Sequence, residues 1–464
     1  MFPAQIFKAY DIRGVYPDEL NEGLAFKVGR AFAEFIRRTP SPLQGEGEGG
    51  VTVVVGRDMR ASSPVLANAV IKGILEQGVN VIDVGLVSTP TFYFSVAHYG
   101  YDGGLQVSAS HNPAKYNGFK MVRAAAGPIS GDTGIMEIRD MIAGGAIPPP
   151  LQGGGEKGVL SKKENVIADH IAFALTQADV KKINPLKVVV DSANGMGGPL
   201  MEELFKHLPC ELVPLYFELD GNFPNHEADP LKDVNNRALQ EKVVETGADL
   251  GVALDGDADR VFFVDEKGKT IEPAIVRGIL AQIFLREYPG ATICYDVRPG
   301  KITEDMIVEA GGKPMVTKVG HSLIKEKMAE TGAVFAGESS GHFFLKMPHG
   351  TFEAPEIMLL KILQELSESG KTISEYCAPL YKYFHSGEIN FAVEDKQAVF
   401  VALREKYGAN LKYDFDGLSF EWPDWWFNVR ASNTENKMRL NLEARSESLM
   451  TDKTKEVSSF LSPL

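Results

Sequence analysis

Cysteine is scarce in this sequence: three residues among 464, Cys210, Cys294 and Cys377, odd in number and widely spaced. That excludes a disulfide framework and a clustered-thiolate zinc site, and it fits a reducing compartment. The three are expected to be buried small hydrophobes. Positive charge is also in short supply, with 48 Lys and Arg against 62 Asp and Glu and a formal net charge of -14. General attraction to nucleic acid or an anionic membrane rests on a basic surface, so neither partner is expected. A phosphorylated ligand would have to be held by local positive groups. No apolar run reaches the roughly 18 residues that suggest a membrane-spanning helix. The N-terminal stretch meets Lys8, Asp11 and Arg13 before any long apolar segment, unlike a secretory signal. The expectation is a cytoplasmic protein, a monomer or a weak homo-oligomer, acting on small molecules.

The chain has ample material for a core. It is 44% hydrophobic and 24% charged, an ordinary globular composition, and its length exceeds what one core usually holds. Short Val- and Ile-rich runs end abruptly in glycine and charge: residues 51–55 run into Gly56-Arg57-Asp58, 188–190 into Asp191-Ser192-Ala193-Asn194-Gly195, 250–254 into Asp255-Gly256-Asp257, and 293–295 into Asp296-Val297-Arg298. Amphipathic stretches separate them, as at 21–37 and at 63–77, where Ser62 or Ser63 suits a cap and Pro64 a first turn. This is the α/β pattern of buried parallel strands whose C-terminal ends carry the polar chemistry. Residues 144–158, rich in Pro and Gly, mark a domain boundary, and residues 40–50 read as a surface loop. Weaker breaks fall near Asp259 and at 370–374. Beyond them, alternating segments at 388–393 and 438–442 suggest a smaller α+β domain. The expected domains are 1–154, 155–258, 259–371 and 372–464.

Four constellations carry chemistry. Ser108-Ala109-Ser110-His111-Asn112-Pro113 leaves the strand-like 105–107, so Ser110 can be exposed with His111 as a proton partner, although a bare Ser-His pair is more often a capped turn. Asp255-Gly256-Asp257-Ala258-Asp259-Arg260 sets carboxylates at alternate positions, which repel unless a cation lies among them. A calcium loop is a rival because Glu266 occupies the twelfth position counted from Asp255. Arg260 stands where that loop needs glycine, however, and strand-like 250–254 and 261–264 replace its helices. Magnesium with an open coordination position is the better reading. Gly337-Glu338-Ser339-Ser340-Gly341-His342 suits vicinal hydroxyls, and Lys318-Val319-Gly320-His321-Ser322 is a second Gly-turn with a cation and a His. Arg430-Ala431-Ser432-Asn433-Thr434-Glu435 offers amides, hydroxyls and a guanidinium to a terminal phosphate, with an Asn-Ser turn and surface Arg as an even alternative. The segments Lys8-Ala9-Tyr10-Asp11-Ile12-Arg13-Gly14 and Tyr116-Asn117-Gly118-Phe119-Lys120 add cations near turns.

In this order, these segments resemble the α-D-phosphohexomutase family, and most closely its bacterial phosphomannomutase/phosphoglucomutase branch. The match runs from the KAYDIRG segment to RASNTE, nearly the whole chain. The resemblance implies three related mixed α/β domains plus a smaller C-terminal α+β domain around a central cleft. It implies a mutase that interconverts hexose 1-phosphate and hexose 6-phosphate through a phosphoserine and a 1,6-bisphosphate, with Mg2+ as cofactor, hexose 1,6-bisphosphate as activator and sugar phosphates as partners. By resemblance, Ser110 carries the phosphoryl group, and Ser110, Asp255, Asp257 and Asp259 bind the metal. Arg260, Arg13 and Lys120 flank the transfer; Lys120, His111 and His342 are alternatives for the base, and a lysine beside Arg and magnesium would have its pKa lowered. Tyr10, Arg298, His321, Glu338, Ser340 and His342 fall to the sugar. Arg430, Ser432, Asn433 and Thr434 fall to the phosphate that does not react. His321-Ser322, in place of the Asp-Arg of glucosamine-specific members, favours mannose and glucose. Ser108, Ser339 and Asn436 depart from the branch's usual Thr, Met and Pro without removing a functional group. A serine-plus-metal phosphatase and a non-catalytic sugar-phosphate sensor are the rival readings. The phosphate cradle speaks against the first and the intact Ser110 and Asp set against the second.

Overall fold

A computed structural model describes residues 2–39, 50–148, 158–298, 300–431 and 437–462. The expected loop at 40–50 lies outside these except for its last residue, as does most of the boundary segment at 144–158. The chain forms two compact units, Met1–Ile271 with Ser340–Ser374, and Glu272–Ser339 with Glu375–Leu464.

The first unit holds two α/β sheets. The six-stranded one runs in the order Ile12–Val15, Tyr116–Arg123, Gly103–Val107, Thr52–Arg57, Asn80–Leu86, Leu160–Lys162. Its first two pairings are antiparallel and the rest parallel. The second sheet runs Val261–Val264, Leu250–Leu254, Lys187–Asp191, Glu211–Leu215, with only the first pairing antiparallel. Gly103–Val107 and Leu250–Leu254 are buried along their whole length; the second reads as an apolar run without alternation, while in the first the buried Gln106 is satisfied by donating to Val87 O at 2.9 Å. The hairpin Phe343–Met347/Gly350–Glu353 and the helix Pro355–Ser369 complete the unit.

The helix expected at 21–37 is Glu22–Arg38, capped by the Asn21 side chain on Leu24 N–H. The one expected at 63–77 is Ser63–Glu76. Its cap differs from expectation: Ser62 sits at the N-cap position but makes no capping bond, because its backbone is already helical (φ -85, ψ -13) where a capping serine is extended, and its hydroxyl accepts from Asn117 Nδ2 at 2.8 Å. The cores are aliphatic and aromatic, with Val53, Val55, Leu105, Val107 and Phe119 under 2% exposed between the large sheet and its helices.

The second unit contains three parallel strands, Lys313–Thr317, Thr292–Asp296 and Phe335–Gly337, with helices Pro273–Glu287, Lys301–Glu309 and His321–Thr331. It also contains an antiparallel five-stranded sheet ordered Phe384–Ala392, Lys437–Ala444, Trp425–Ala431, Leu418–Glu421, Leu411–Tyr413. The alternating segments at 388–393 and 438–442 are its first two strands, and the apolar faces of the sheet pack on Lys396–Tyr407 and Glu447–Leu461. All three cysteines are free. Cys294 and Cys377 are buried, but Cys210 is only half-buried, correcting that expectation: it follows the exposed end of a helix, with its Sγ 3.5 Å from Asn184 O. Among the described residues no helix is long and apolar enough to cross a membrane.

Candidate active site

In the first unit, strand ends deliver two loops, and a neighbouring strand a lysine, to one point. Ser110 follows Gly103–Val107, and the 255–259 turn joins Leu250–Leu254 to its antiparallel neighbour Val261–Val264. Lys120 lies within Tyr116–Arg123, paired with Gln106 on the strand that leads to Ser110. The Ser110 hydroxyl donates to Asp255 Oδ2 at 2.6 Å, and His111 Nδ1 stands 3.2 Å from the same Oγ. Ser110 has φ 51 and Ala258 φ 59. Both are left-handed conformations that cost a side-chain-bearing residue energy and cluster at functional sites. Close approach of the loops requires Gly256, since a Cβ there would lie 2.5 Å from Ser110 O.

The three aspartates are 1% exposed or less, and each offers a carboxylate oxygen within 4.8 Å of the others. Asp255 Oδ1 accepts the backbone N–H groups of Asp259 and Arg260 at 3.1 and 3.2 Å, closing the turn. Asp257 Oδ2 accepts from Thr89 Oγ1 at 2.7 Å, Ser108 Oγ at 3.1 Å and Lys120 Nζ at 2.7 Å. Lys120 also bonds Asp259. Burial, then the neighbouring charges of Asp259 and Asp257, pushes Asp255 well above the usual carboxylate range. Burial acts the same way on Asp259, but Lys120 and Arg260 overcome it and hold that carboxyl low. Asp257 Oδ1 and Asp259 Oδ1 are buried and accept no hydrogen bond. Carboxylates forced together with unused lone pairs suit a small hard cation, so the residues present fit a divalent metal. Asp259, His342 and Glu353 form a second such group around the shared Asp259.

Cations surround the cluster. Arg13 is gripped by Asp11 at 2.7 Å and donates to Asn112 Oδ1 at 2.6 Å. Arg260 donates through Nε to His342 Nε2 at 3.0 Å. Burial, then Arg260 and Arg13, pushes His111 well below its ordinary value, so it is a neutral imidazole. For Lys120 the direction is opposite to the expectation of a lowered pKa: burial alone would lower it, but Asp257 and Asp259 raise it well above the ordinary lysine value. The facing carboxylates outweigh the nearby arginine. Ser340 is buried and Tyr10 half-buried in this unit.

The second unit gathers another set. Glu338 Oε1 accepts Gly320 N–H at 3.0 Å, just before His321 opens its helix, and lies 3.3 Å from Arg298 Nη2. Buried Asp296 pairs with Arg298 and, at 2.5 Å, with Arg277. Arg430 is 7% exposed and faces Glu388 at 3.5 Å, so it is not a solvated surface arginine. Ser432, Asn433, Thr434 and Asn436 lie outside the described residues.

Sequence reasoning missed Arg60 and Thr89, and named Asp58 only as part of a polar strand end. Asp58 and Arg60 follow Thr52–Arg57, so the rule that polar residues at strand ends carry the chemistry pointed to them. Thr89 carried no signal of its own; its pairing with Asp257 is set by the fold.

Four family models match in order: phosphoglucomutase/phosphomannomutase alpha/beta/alpha domain I at residues 4–146, domain II at 168–268, domain III at 273–384, and the C-terminal domain at 388–458. The chain is 40% identical to "Phosphohexose mutases" of Xanthomonas campestris pv. campestris (strain B100), covering 98% of both chains. It is 37% identical to a phosphomannomutase of Escherichia coli (strain K12), again over 98% of each. A solved phosphoglucomutase/phosphomannomutase family protein from Burkholderia thailandensis is 35% identical with a TM-score of 0.86, covering 99% of this chain and 97% of that one. Four domain models in order and relatives of this identity along nearly its full length mean that the chain belongs to the phosphoglucomutase/phosphomannomutase family.

Proposed function

We propose that this enzyme interconverts hexose 1-phosphate and hexose 6-phosphate of mannose and glucose through a phosphorylated Ser110 and a 1,6-bisphosphate intermediate. The observation that carries the reading is the Ser110 hydroxyl 2.6 Å from Asp255, within a buried cluster of three aspartates.

Phospho-Ser110 gives its phosphoryl group to the free hydroxyl of the bound hexose monophosphate: the Ser Oγ–P bond breaks, the sugar O–P bond forms, the sugar's proton passes to a base, and the leaving Ser110 Oγ takes up a proton to become the hydroxyl. The intermediate turns over and its other phosphate returns to Ser110. Mg2+ held by Asp255, Asp257 and Asp259, with Ser110 or its phosphate, would supply positive charge to the transferring oxygens. Arg260 and Arg13 add fixed guanidinium donors. The base is assigned to His111, whose Nδ1 stands 3.2 Å from Ser110 Oγ, with His342 and Lys120 as alternatives, Lys120 only once Asp257 and Asp259 release its proton. Glu338 and Ser340 are assigned to sugar hydroxyls, Arg298 and His321 to orienting the ring, and Tyr10 and His342 also to the substrate. Arg430, Ser432, Asn433 and Thr434 hold the phosphate that is not reacting. The serine domain is assigned to 1–154, the metal domain to 155–258, sugar recognition to 259–371 and the phosphate cradle to 372–464. A hexose 1,6-bisphosphate serves as activator by phosphorylating Ser110, and the free cysteines suit the cytoplasm.

The test is a side-by-side assay with mannose 1-phosphate and glucose 1-phosphate, MgCl2 and a trace of glucose 1,6-bisphosphate. The expected products are the 6-phosphates, lost in Ser110→Ala. Release of inorganic phosphate without isomer would overturn the reading in favour of hydrolysis.

A further inference from the structure

One buried cation of the first unit bonds four backbone carbonyls and touches none of the reacting groups. Arg60, 1% exposed, lies between the strand Thr52–Arg57 and the helix Ser63–Glu76. Its Nη2 donates to Ser110 O at 2.7 Å and Asn112 O at 2.6 Å. Its Nη1 donates to Pro113 O at 2.9 Å and Tyr116 O at 3.0 Å. Nε faces Asp58 Oδ2 at 3.2 Å, and the Arg60 N–H donates to Asp58 Oδ1 at 3.0 Å. Asp58 is itself tied by its own N–H to Val107 O at 3.0 Å, on the strand that leads to Ser110. The Phe223 ring covers the guanidinium at 5.0 Å. The loop bearing it comes so close that a Cβ on Gly221 would lie 2.5 Å from Arg60 Cα.

Four carbonyls of one loop on one guanidinium make an arrangement that a planar fork of five N–H donors can satisfy and a point-charge ammonium with three cannot. These carbonyls belong to the segment in which Ser110 adopts φ 51, a conformation that persists only when its surroundings over-determine it. We propose that Arg60 is a positioning residue for phosphoryl transfer, a buried mount that fixes the 110–116 loop so that Ser110 Oγ is held on the aspartate cluster. This rests on the reading of Ser110 as the phosphoserine. Buried behind the loop, Arg60 contributes nothing to sugar binding; its effect falls on the steps in which Ser110 Oγ attacks phosphorus or leaves it.

The test follows transfer from glucose 1,6-bisphosphate to dephosphorylated enzyme, in which a sugar O–P bond breaks, the Ser110 Oγ–P bond forms, and the serine proton ends on the released sugar hydroxyl. Intact mass and peptide mapping read the phosphoryl group on Ser110 in wild type, Arg60→Lys and Phe223→Leu. Thermal melts report folding, and steady-state kinetics separate kcat from KM. For Arg60→Lys the expected result is a loss of about a hundredfold in both the labelling rate and kcat, with KM for glucose 1-phosphate unchanged, as misplacement of a reacting atom by ~1 Å produces. For Phe223→Leu, which keeps every hydrogen bond of Arg60, a loss of about threefold is expected, in line with removal of one cation–π contact. That variant carries the test if Arg60→Lys does not fold. Folded variants labelled and turning over at wild-type rates, or altered only in KM, would overturn the proposal while leaving the serine reading intact. Wild type that takes up no phosphoryl group at Ser110 would sink that reading, and the mount with it.

Discussion

Replacing Lys120 by Met tests the charge balance of the aspartate cluster without reference to turnover. Lys120 is 4% exposed and bonds Asp257 at 2.7 Å as well as Asp259. At an effective dielectric of about 20, each contact is attractive by ~4 kcal/mol or more, against several kcal/mol for desolvating the ammonium. Removing one partner of such a buried set costs about 3–5 kcal/mol, because the carboxylates left behind are uncompensated. A divalent cation competes with the ammonium for the same Asp257 and Asp259 oxygens. It should therefore stabilise Lys120→Met more than wild type, with roughly 2.7 kcal/mol recovered at a hundred times the dissociation constant. The assay is thermal melting of both proteins in EDTA and across a MgCl2 series. Expected are a markedly lower Tm for the variant in EDTA and a steeper rise with magnesium. Equal melting in EDTA together with equal magnesium shifts would refute the account.

Three further outcomes follow from particular contacts. Gly256→Ala places a Cβ 2.5 Å from Ser110 O, so a loss of about 1–3 kcal/mol in stability is expected by denaturant titration, with slower Ser110 phosphorylation as the loops part. Burial pushes buried Glu443 up to about 7, against the ordinary 4.5. Its native form therefore holds a proton that the unfolded chain releases, giving stability that is full below 4.5 and lost as pH rises through about 7. The difference is at most ~3 kcal/mol, and Glu443→Gln, which still accepts from Lys301 N and Trp426 Nε1, should flatten the pH profile of melting. Asp296→Asn loosens Arg298 and Arg277 and is expected to raise KM for hexose phosphate in steady-state assays while Ser110 labelling proceeds at the wild-type rate.

Strand-end chemistry was legible because short, mostly apolar buried strands stop abruptly where the chain turns to glycine and charge. Residues 250–254 and 261–264 flank the aspartate turn as expected, and 105–107 ends the strand before Ser110. What stayed hidden depended on partners distant in sequence. The direction of Lys120 could not be read from its own segment, since the carboxylates that hold its proton lie on another sheet. Ser62 looked like a cap, but its hydroxyl serves Asn117. Arg60 sits in an unremarked turn, and its role emerges only when the chain brings four carbonyls from residues 110–116 onto it. Local patterns report what a segment does to itself; they are silent on donors that a neighbouring loop requires.

The same charge accounting explains why guanidinium and ammonium groups alone are insufficient at this site. In a chain of net charge -14, Arg13 is committed to Asp11 and Lys120 to Asp257 and Asp259. Arg260 lies near Asp255 at 3.8 Å and Asp229 at 3.9 Å. Each cation already answers a carboxylate, so no surplus positive charge remains for an arriving phosphoryl group. Asp257 and Asp259, with their spare lone pairs, would hold a dication, which would supply the missing positive charge and compete with Lys120 for its two carboxylates. A dication held by the aspartates, as proposed, would therefore favour the later arrival of a second anion. Equilibrium binding of glucose 1-phosphate by calorimetry should accordingly be weak in EDTA and tighten with MgCl2; equal affinity under both conditions would contradict this balance of charges.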